Sequence, residues 1–222
     1  MRRVIAAAFV SLDNVMQAPG GPDEDPTGGF KHGGWTVPYF DEVVGQAMTE
    51  TFSKPFDLLL GRKTYEIFAA HWPHAEGGPD DFIAKLFNRT KKYVATTSST
   101  PLTWTPSIAL HEPAADIAKI KKQDGPDLLI QGSSVLIQTL LENDLIDQIN
   151  LLVFPVVLGS GKRFFGDGAK SMALSLESSK RSPSGVTMNR YTPAGAVKTG
   201  SFALATPTEA EVARREKMKQ EG

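Results

Sequence analysis

The chain has 222 residues, 41% of them apolar and 22% charged, with a formal net charge of −1 and no cysteine. These values suit one folded domain with or without an appendage and exclude a disordered chain. They exclude disulfides, thiolate metal sites and a cysteine nucleophile, and they leave no global field to recruit nucleic acid or a membrane surface.

The opening MRRVIAAAFVSLD carries two arginines and an apolar run, but the run covers only residues 4–10. That is too short for an export signal or a bilayer span, so the protein is expected in the cytoplasm. The run lacks alternation, which predicts a β-strand covered on both faces, as in a sheet between helices. Residues 16–38 follow, rich in glycine and proline and without periodicity. A loop of this length is either disordered or functional, such as a lid over a site. Phe30, Trp35 and Val37 near its end either dock a ligand or pin the loop to the body. Residues 38–53 then place Phe40, Val43, Val44, Ala47, Met48 and Phe52 at helical spacing. Asp41 lies at the margin of that stripe, either facing a cleft or serving the helix's first turn.

Residues 57–66, DLLLGRKTYE, read as a buried strand, a turn at Gly61 and a helix opening on Arg62-Lys63-Thr64. A helix N-terminus carries unpaired backbone N–H groups and the positive end of the dipole, so it attracts anions, phosphate above all. Two basic residues in that first turn oppose the dipole. Either an anionic ligand compensates for them, or they are solvated.

His71 and His74 end this helix without a third ligand nearby, so no metal site is expected. Residues 82–89 read as a short helix and residues 91–96 as a strand running into Thr97-Ser98-Ser99-Thr100, hydroxyls that either bind phosphate or ribose or cap a turn. A helix over residues 114–122 comes next. Residues 127–131 (DLLIQ) then repeat the strand–glycine–helix arrangement at Gly132-Ser133-Ser134, with a helix over residues 135–142 whose start Ser133 or Ser134 can cap. Strand ends of one α/β sheet open toward the same edge, where ligands sit.

Residues 146–157 predict a long strand in which Pro155 marks a bend or edge. The following LGSGKRFF fails as a Walker motif and reads as a turn. Residues 173–182 and 186–191 predict a strand pair. Residues 193–222 form an extension with a possible strand over 200–204 and a charged helix over 208–220.

This order of motifs, with GRKTYE and the stretch from Gly132 to Phe165 as its most specific marks, closely resembles the dihydrofolate-reductase-like superfamily. The branch is that of the C-terminal reductase domain of bacterial riboflavin biosynthesis proteins and their stand-alone relatives. The resemblance covers about residues 2–191 and implies a reductase domain over 1–192. It implies a three-layer α/β/α fold with a mixed, mostly parallel sheet, NADPH as hydride donor, a small-molecule substrate and a homodimer. Phosphate-binding positions fall on Gly61, Arg62, Lys63 and Thr64. Those holding the adenosine half fall on Thr96, Thr97 and Ser98. The turn beneath the pyrophosphate falls on Gly132, Ser133, Ser134 and Val135, with Leu136 behind. Ser133 stands where many members have a second glycine. The substrate is expected near Asp13, Asn14 and Asp41, with Asp13 and then Asp41 as candidate proton donors, although Asp13 equally suits a turn. No zinc-bearing deaminase segment is read ahead of this region, so the two-step riboflavin enzyme is not expected.

Two functions remain: a reductase of a pterin-, pyrimidine- or carbonyl/imine-type substrate, or a dinucleotide-binding protein without turnover. A Rossmann dehydrogenase is disfavoured, because no G-x-G-x-x-G follows the first strand.

Overall fold

A computed structural model describes residues 1–221. Eight strands form one sheet: β1 (Val4–Ser11), β2 (Phe56–Gly61), β3 (Lys92–Ala95), β4 (Ser107–Leu110), β5 (Asp127–Gln131), β6 (Gln148–Phe154), β7 (Leu174–Arg181) and β8 (Thr187–Pro193). Their order is β4-β3-β2-β5-β1-β6-β8-β7. The first six run parallel, and β8 and β7 add antiparallel at one edge. β1 lies between β5 and β6, with Ile5 opposite both Leu129 and Gln148. That central place explains its unalternating apolar run.

Six α-helices accompany the sheet among the described residues: α1 (Glu42–Thr51), α2 (Arg62–His71), α3 (Asp81–Arg89), α4 (Pro113–Lys121), α5 (Ser134–Glu142) and α6 (Glu209–Glu221). Alternating side chains of the central strands supply two cores. Val4, Ala6, Leu59, Leu128 and Ile130 pack with Ile117 of α4 and with Ile137 and Leu140 of α5. Ala7, Leu58, Leu60 and Leu129 face the other way, onto Phe52, Tyr65 and Phe87 of the α1–α3 side. The result is the expected three-layer α/β/α fold with a mostly parallel sheet. Phe87 is 2% exposed, and truncating such a residue to alanine costs about 3–5 kcal/mol.

Three expectations are corrected. β4 was not predicted: SIAL is short, and its Ile108 and Ala109 are exposed, which leaves little apolar pattern to detect. β6 ends at Phe154 rather than reaching Val157, because Pro155 has no N–H to continue the ladder. Residues 200–204 form no strand and are exposed; they have no neighbouring strand to pair with. α6 does form, entirely on the surface, held by i,i+3 and i,i+4 ion pairs such as those of Glu211 with Arg214 and Arg215. No helix among the described residues is long and apolar enough to cross a membrane.

Candidate functional site

β2 and β5 are neighbours and parallel, so the helices that follow them, α2 and α5, start at the same sheet edge. Their first turns touch. The Gly61 N–H donates to Ser133 Oγ at 2.9 Å, and Ser133 Oγ donates to Thr64 Oγ1 at 3.0 Å. The chain reaches this contact through two consecutive left-handed residues, Gly132 (φ +69°) and Ser133 (φ +66°). Ser133 stands at the N-cap of α5 but does not cap it, and α2 also lacks a side-chain cap. Ser133 is thus a bridge between turns, which corrects the expected capping role. Two uncapped N-termini leave backbone N–H groups for a ligand to meet.

Both open onto a cavity of about 600 Å³. Gly61, Arg62, Lys63, Thr64, Gly132, Ser133, Ser134, Val135 and Leu136 all line it. Arg62 is partly committed elsewhere: its Nε donates to Glu66 at 2.6 Å and its Nη1 to the Thr100 carbonyl at 2.9 Å. Lys63 is held more loosely, 3.4 Å from Thr27 Oγ1 and 3.9 Å from the Asp25 carboxylate. Thr96, Thr97 and Ser98 lie at the C-terminal end of β3 and do not line the cavity. The Thr96 hydroxyl accepts from the Ser98 N–H at 3.0 Å, and Arg62 connects this hydroxyl loop to the cavity through Thr100.

The loop of residues 16–38 is ordered over the cavity. Gln17 organises it, donating to the carbonyls of Asp25 (2.9 Å) and Thr27 (2.8 Å), while its own carbonyl accepts from Trp35 Nε1 at 2.8 Å. Phe30 and Trp35 are buried and pin the loop to the body; Val37 is exposed. Residues 158–165 run beside it, and the Lys162 N–H donates to Gln17 Oε1 at 3.0 Å.

Neither expected proton donor reaches the cavity. Asp13 accepts from the Ser11 hydroxyl (2.6 Å) and from the amides of Leu158 (3.0 Å) and Gly159 (2.7 Å). Burial pushes its carboxyl up, but these bonds outweigh it and leave the group below the usual range. Asp41 is the N-cap of α1, accepting from the Val44 amide at 3.0 Å, and its other oxygen takes the Ser184 amide at 2.9 Å. The Val44 amide first, and then the groups of Ser184, hold it down to about 2. Both carboxylates are occupied in joining loops, which corrects their expected role.

The cavity's own carboxylates are Glu24 and Asp25. Asp25 is buried and paired with Lys162. Burial pushes it up, yet the bonds from Lys162 and Thr27 prevail and keep it ionised at lower pH than usual. Glu24 accepts from the Gly20 N–H at 2.6 Å, and burial drives its carboxyl above the usual value. Sequence reasoning missed Glu24, Asp25, Gln17 and Lys162. They sit in loops without periodicity, and the sole signal was three consecutive acids, Asp23, Glu24 and Asp25, inside a predicted lid.

The model of the RibD C-terminal domain matches residues 2–188. The uncharacterized protein YyaP of Bacillus subtilis is 27% identical over 192 residues, covering 86% of this chain and 94% of its own. Two solved structures share the fold. A putative riboflavin biosynthesis protein from Shewanella sp. PV-4 is 20% identical with a TM-score of 0.54, over 86% of this chain and 99% of its own. A pyrimidine reductase-like protein from Corynebacterium diphtheriae is 13% identical with a TM-score of 0.55, over 87% of this chain and 92% of its own. The chain therefore belongs to the RibD C-terminal domain family, the branch that its motifs resemble.

Proposed function

We propose that the protein is an NADPH-dependent reductase of a small molecule bearing a reducible carbonyl or imine. The observation that carries this reading is the pair of uncapped helix N-termini, α2 and α5, joined through Ser133 and opening on one cavity. The donor set fits a dinucleotide's phosphates: backbone amides of two helices, the Lys63 ammonium, and at Gly132 a left-handed residue that lets a ligand approach the backbone. Arg62 and Lys63 favour a cofactor with a third phosphate, hence NADPH over NADH. Arg62 would also carry the contact outward to Thr96, Thr97 and Ser98, on the adenosine side.

A bound NADPH supplies a hydride to the substrate's electrophilic carbon while the oxygen or nitrogen takes a proton, giving the reduced product and NADP⁺. The chain's contribution is to hold the reactants together, exclude water with the loop of residues 16–38, and deliver that proton. Glu24 suits the last task. It lines the cavity, and its raised carboxyl keeps a proton further toward neutral pH than Asp25, which Lys162 holds ionised. We extend the reading to a homodimer, as the resemblance implies, and light scattering tests it.

Titration with NADPH and NADH, followed by loss of absorbance with a substrate panel, tests the main reading. Tight NADPH binding with oxidation supports it. Binding without oxidation across a broad panel favours a cofactor sensor, and no binding overturns both.

A further inference from the structure

Away from the helix N-termini, the cavity is walled by Phe40, Met48, Phe52, Phe68, Trp72 and Phe87. The wall is an interlocked aromatic set. Phe87 meets Phe52 edge-on at 5.3 Å and Trp72 at 5.2 Å, and stacks on Phe68 at 5.9 Å. Phe40 is 46% exposed, and Met48, Phe68 and Trp72 are only partly buried, so apolar area faces the opening. Covering such area with an apolar ligand is favourable.

The polar groups of the cavity are placed elsewhere. Arg62 and Lys63 begin α2, and Lys162 pairs with Asp25 beneath the loop. α1 turns Met48 and Phe52 toward the chamber, while Asp41 lies outside the cavity with both oxygens engaged. A pterin or aminopyrimidine would bring several donors and acceptors into this wall without partners, and each one stranded weakens binding. A phosphorylated sugar would find no cation there.

We infer that the substrate is an uncharged, largely apolar ring compound with one reducible C=O or C=N, seated against the Phe40–Met48–Trp72–Phe87 wall. This rests on the reductase reading and narrows it, away from pterins and phosphorylated pyrimidines. The ring fills the aromatic end, and its one polar function is left toward Glu24 and the helix N-termini.

The test uses the full chain with and without saturating NADPH, and three probes: 2-tetralone, biopterin and uridine 5′-phosphate. Equilibrium dialysis is expected to give 2-tetralone a dissociation constant at least about tenfold below those of the other two. Tryptophan fluorescence locates the binding, because Trp72 lines the cavity while Trp35 and Trp104 do not. Trp72 Nε1 is buried without a hydrogen-bond partner, so Trp72→Phe strands no group. In Trp72→Phe the tetralone-induced quench is expected to vanish and dialysis to report 2-tetralone binding weakened by about three- to tenfold, while NADPH binds as before. The inference is overturned if either polar probe binds as tightly as 2-tetralone, or if the quench survives in Trp72→Phe. NADPH titration in the same samples separates the two readings. Without NADPH binding, the reductase reading falls even where the apolar preference stands.

Discussion

The Gly61 N–H and the Ser133 Oγ meet at 2.9 Å across 72 residues of sequence. This bond fixes the spacing of two helix N-termini at one sheet edge, and it explains why a residue other than glycine is held at φ +66°. A left-handed L-residue costs roughly 1–2 kcal/mol, which one hydrogen bond of about 1 kcal/mol largely offsets.

Ser133→Ala keeps the left-handed strain and leaves the Gly61 amide without its partner, whereas Ser133→Gly also removes the bond but relieves the strain. The alanine variant should be less stable than the parent, whereas the glycine variant should lie close to it, because relief of the strain offsets the lost bond. The alanine variant should be the weaker of the two by about 1 kcal/mol in urea unfolding. Equal midpoints for the two variants would show that the turn is unstrained.

Arg62 and Lys63 should separate in mutation. Lys63 is half exposed and loosely tied to Thr27 and Asp25, so its charge is available to an anion. Arg62 already serves Glu66 and the Thr100 carbonyl. Lys63→Ala should weaken NADPH binding by about 1.5–3 kcal/mol, the worth of one hydrogen bond to a charged group, with little change in unfolding. Arg62→Ala should lower the thermal midpoint as well, because the loop of residues 97–100 loses its tie. Calorimetric titration and thermal melts on the same preparations decide it.

How much was legible beforehand follows from periodicity. β1, β2 and β5 were visible because central parallel strands are buried on both faces and read as unbroken apolar runs. α1 was visible from its 3.6-residue spacing, and α2 and α5 from the glycine turns that end β2 and β5. β4 was invisible because an edge strand with exposed Ile108 carries no such pattern. The cavity-lining stretches around Gly61 and Gly132 could be placed from the motif alone. The carboxylates could not: Asp13 and Asp41 flank the predicted cleft in sequence, but whether a side chain faces a cavity or caps a helix depends on partners such as Leu158 and Ser184, more than 140 residues away. Glu24 and Asp25 lie in a loop whose path Gln17 and Trp35 decide, through contacts no local pattern encodes.

Glu24 should shape the pH profile of reduction. The protonated carboxyl is the active form of a proton donor, and burial raises its pKa above the ordinary glutamate value. The rate should therefore hold at low pH and fall as pH rises through the raised value. Glu24→Gln retains an acceptor for the Gly20 amide but carries no proton to give. It should lose about 10²- to 10⁴-fold in kcat/KM and flatten the profile, while binding NADPH as before. A profile unchanged in shape would remove Glu24 from this role.

Asp41 should act through stability and not through turnover. Its carboxylate caps α1 and holds the Ser184 amide, and its pKa falls from 3.8 to about 2 in the folded state. A carboxyl with a depressed folded pKa binds protons more weakly when folded, so its stabilising effect is complete above the unfolded value and lost as pH falls toward the folded one. Asp41→Ala should thus unfold at lower urea concentration than the parent at pH 7. The gap between them should shrink as pH drops from about 4 to about 2. At saturating NADPH and substrate the variant should turn over at the parental rate, since its carboxylate lies outside the cavity. A large loss of kcat with unchanged unfolding would return Asp41 to the chemistry and overturn its assignment as a helix cap.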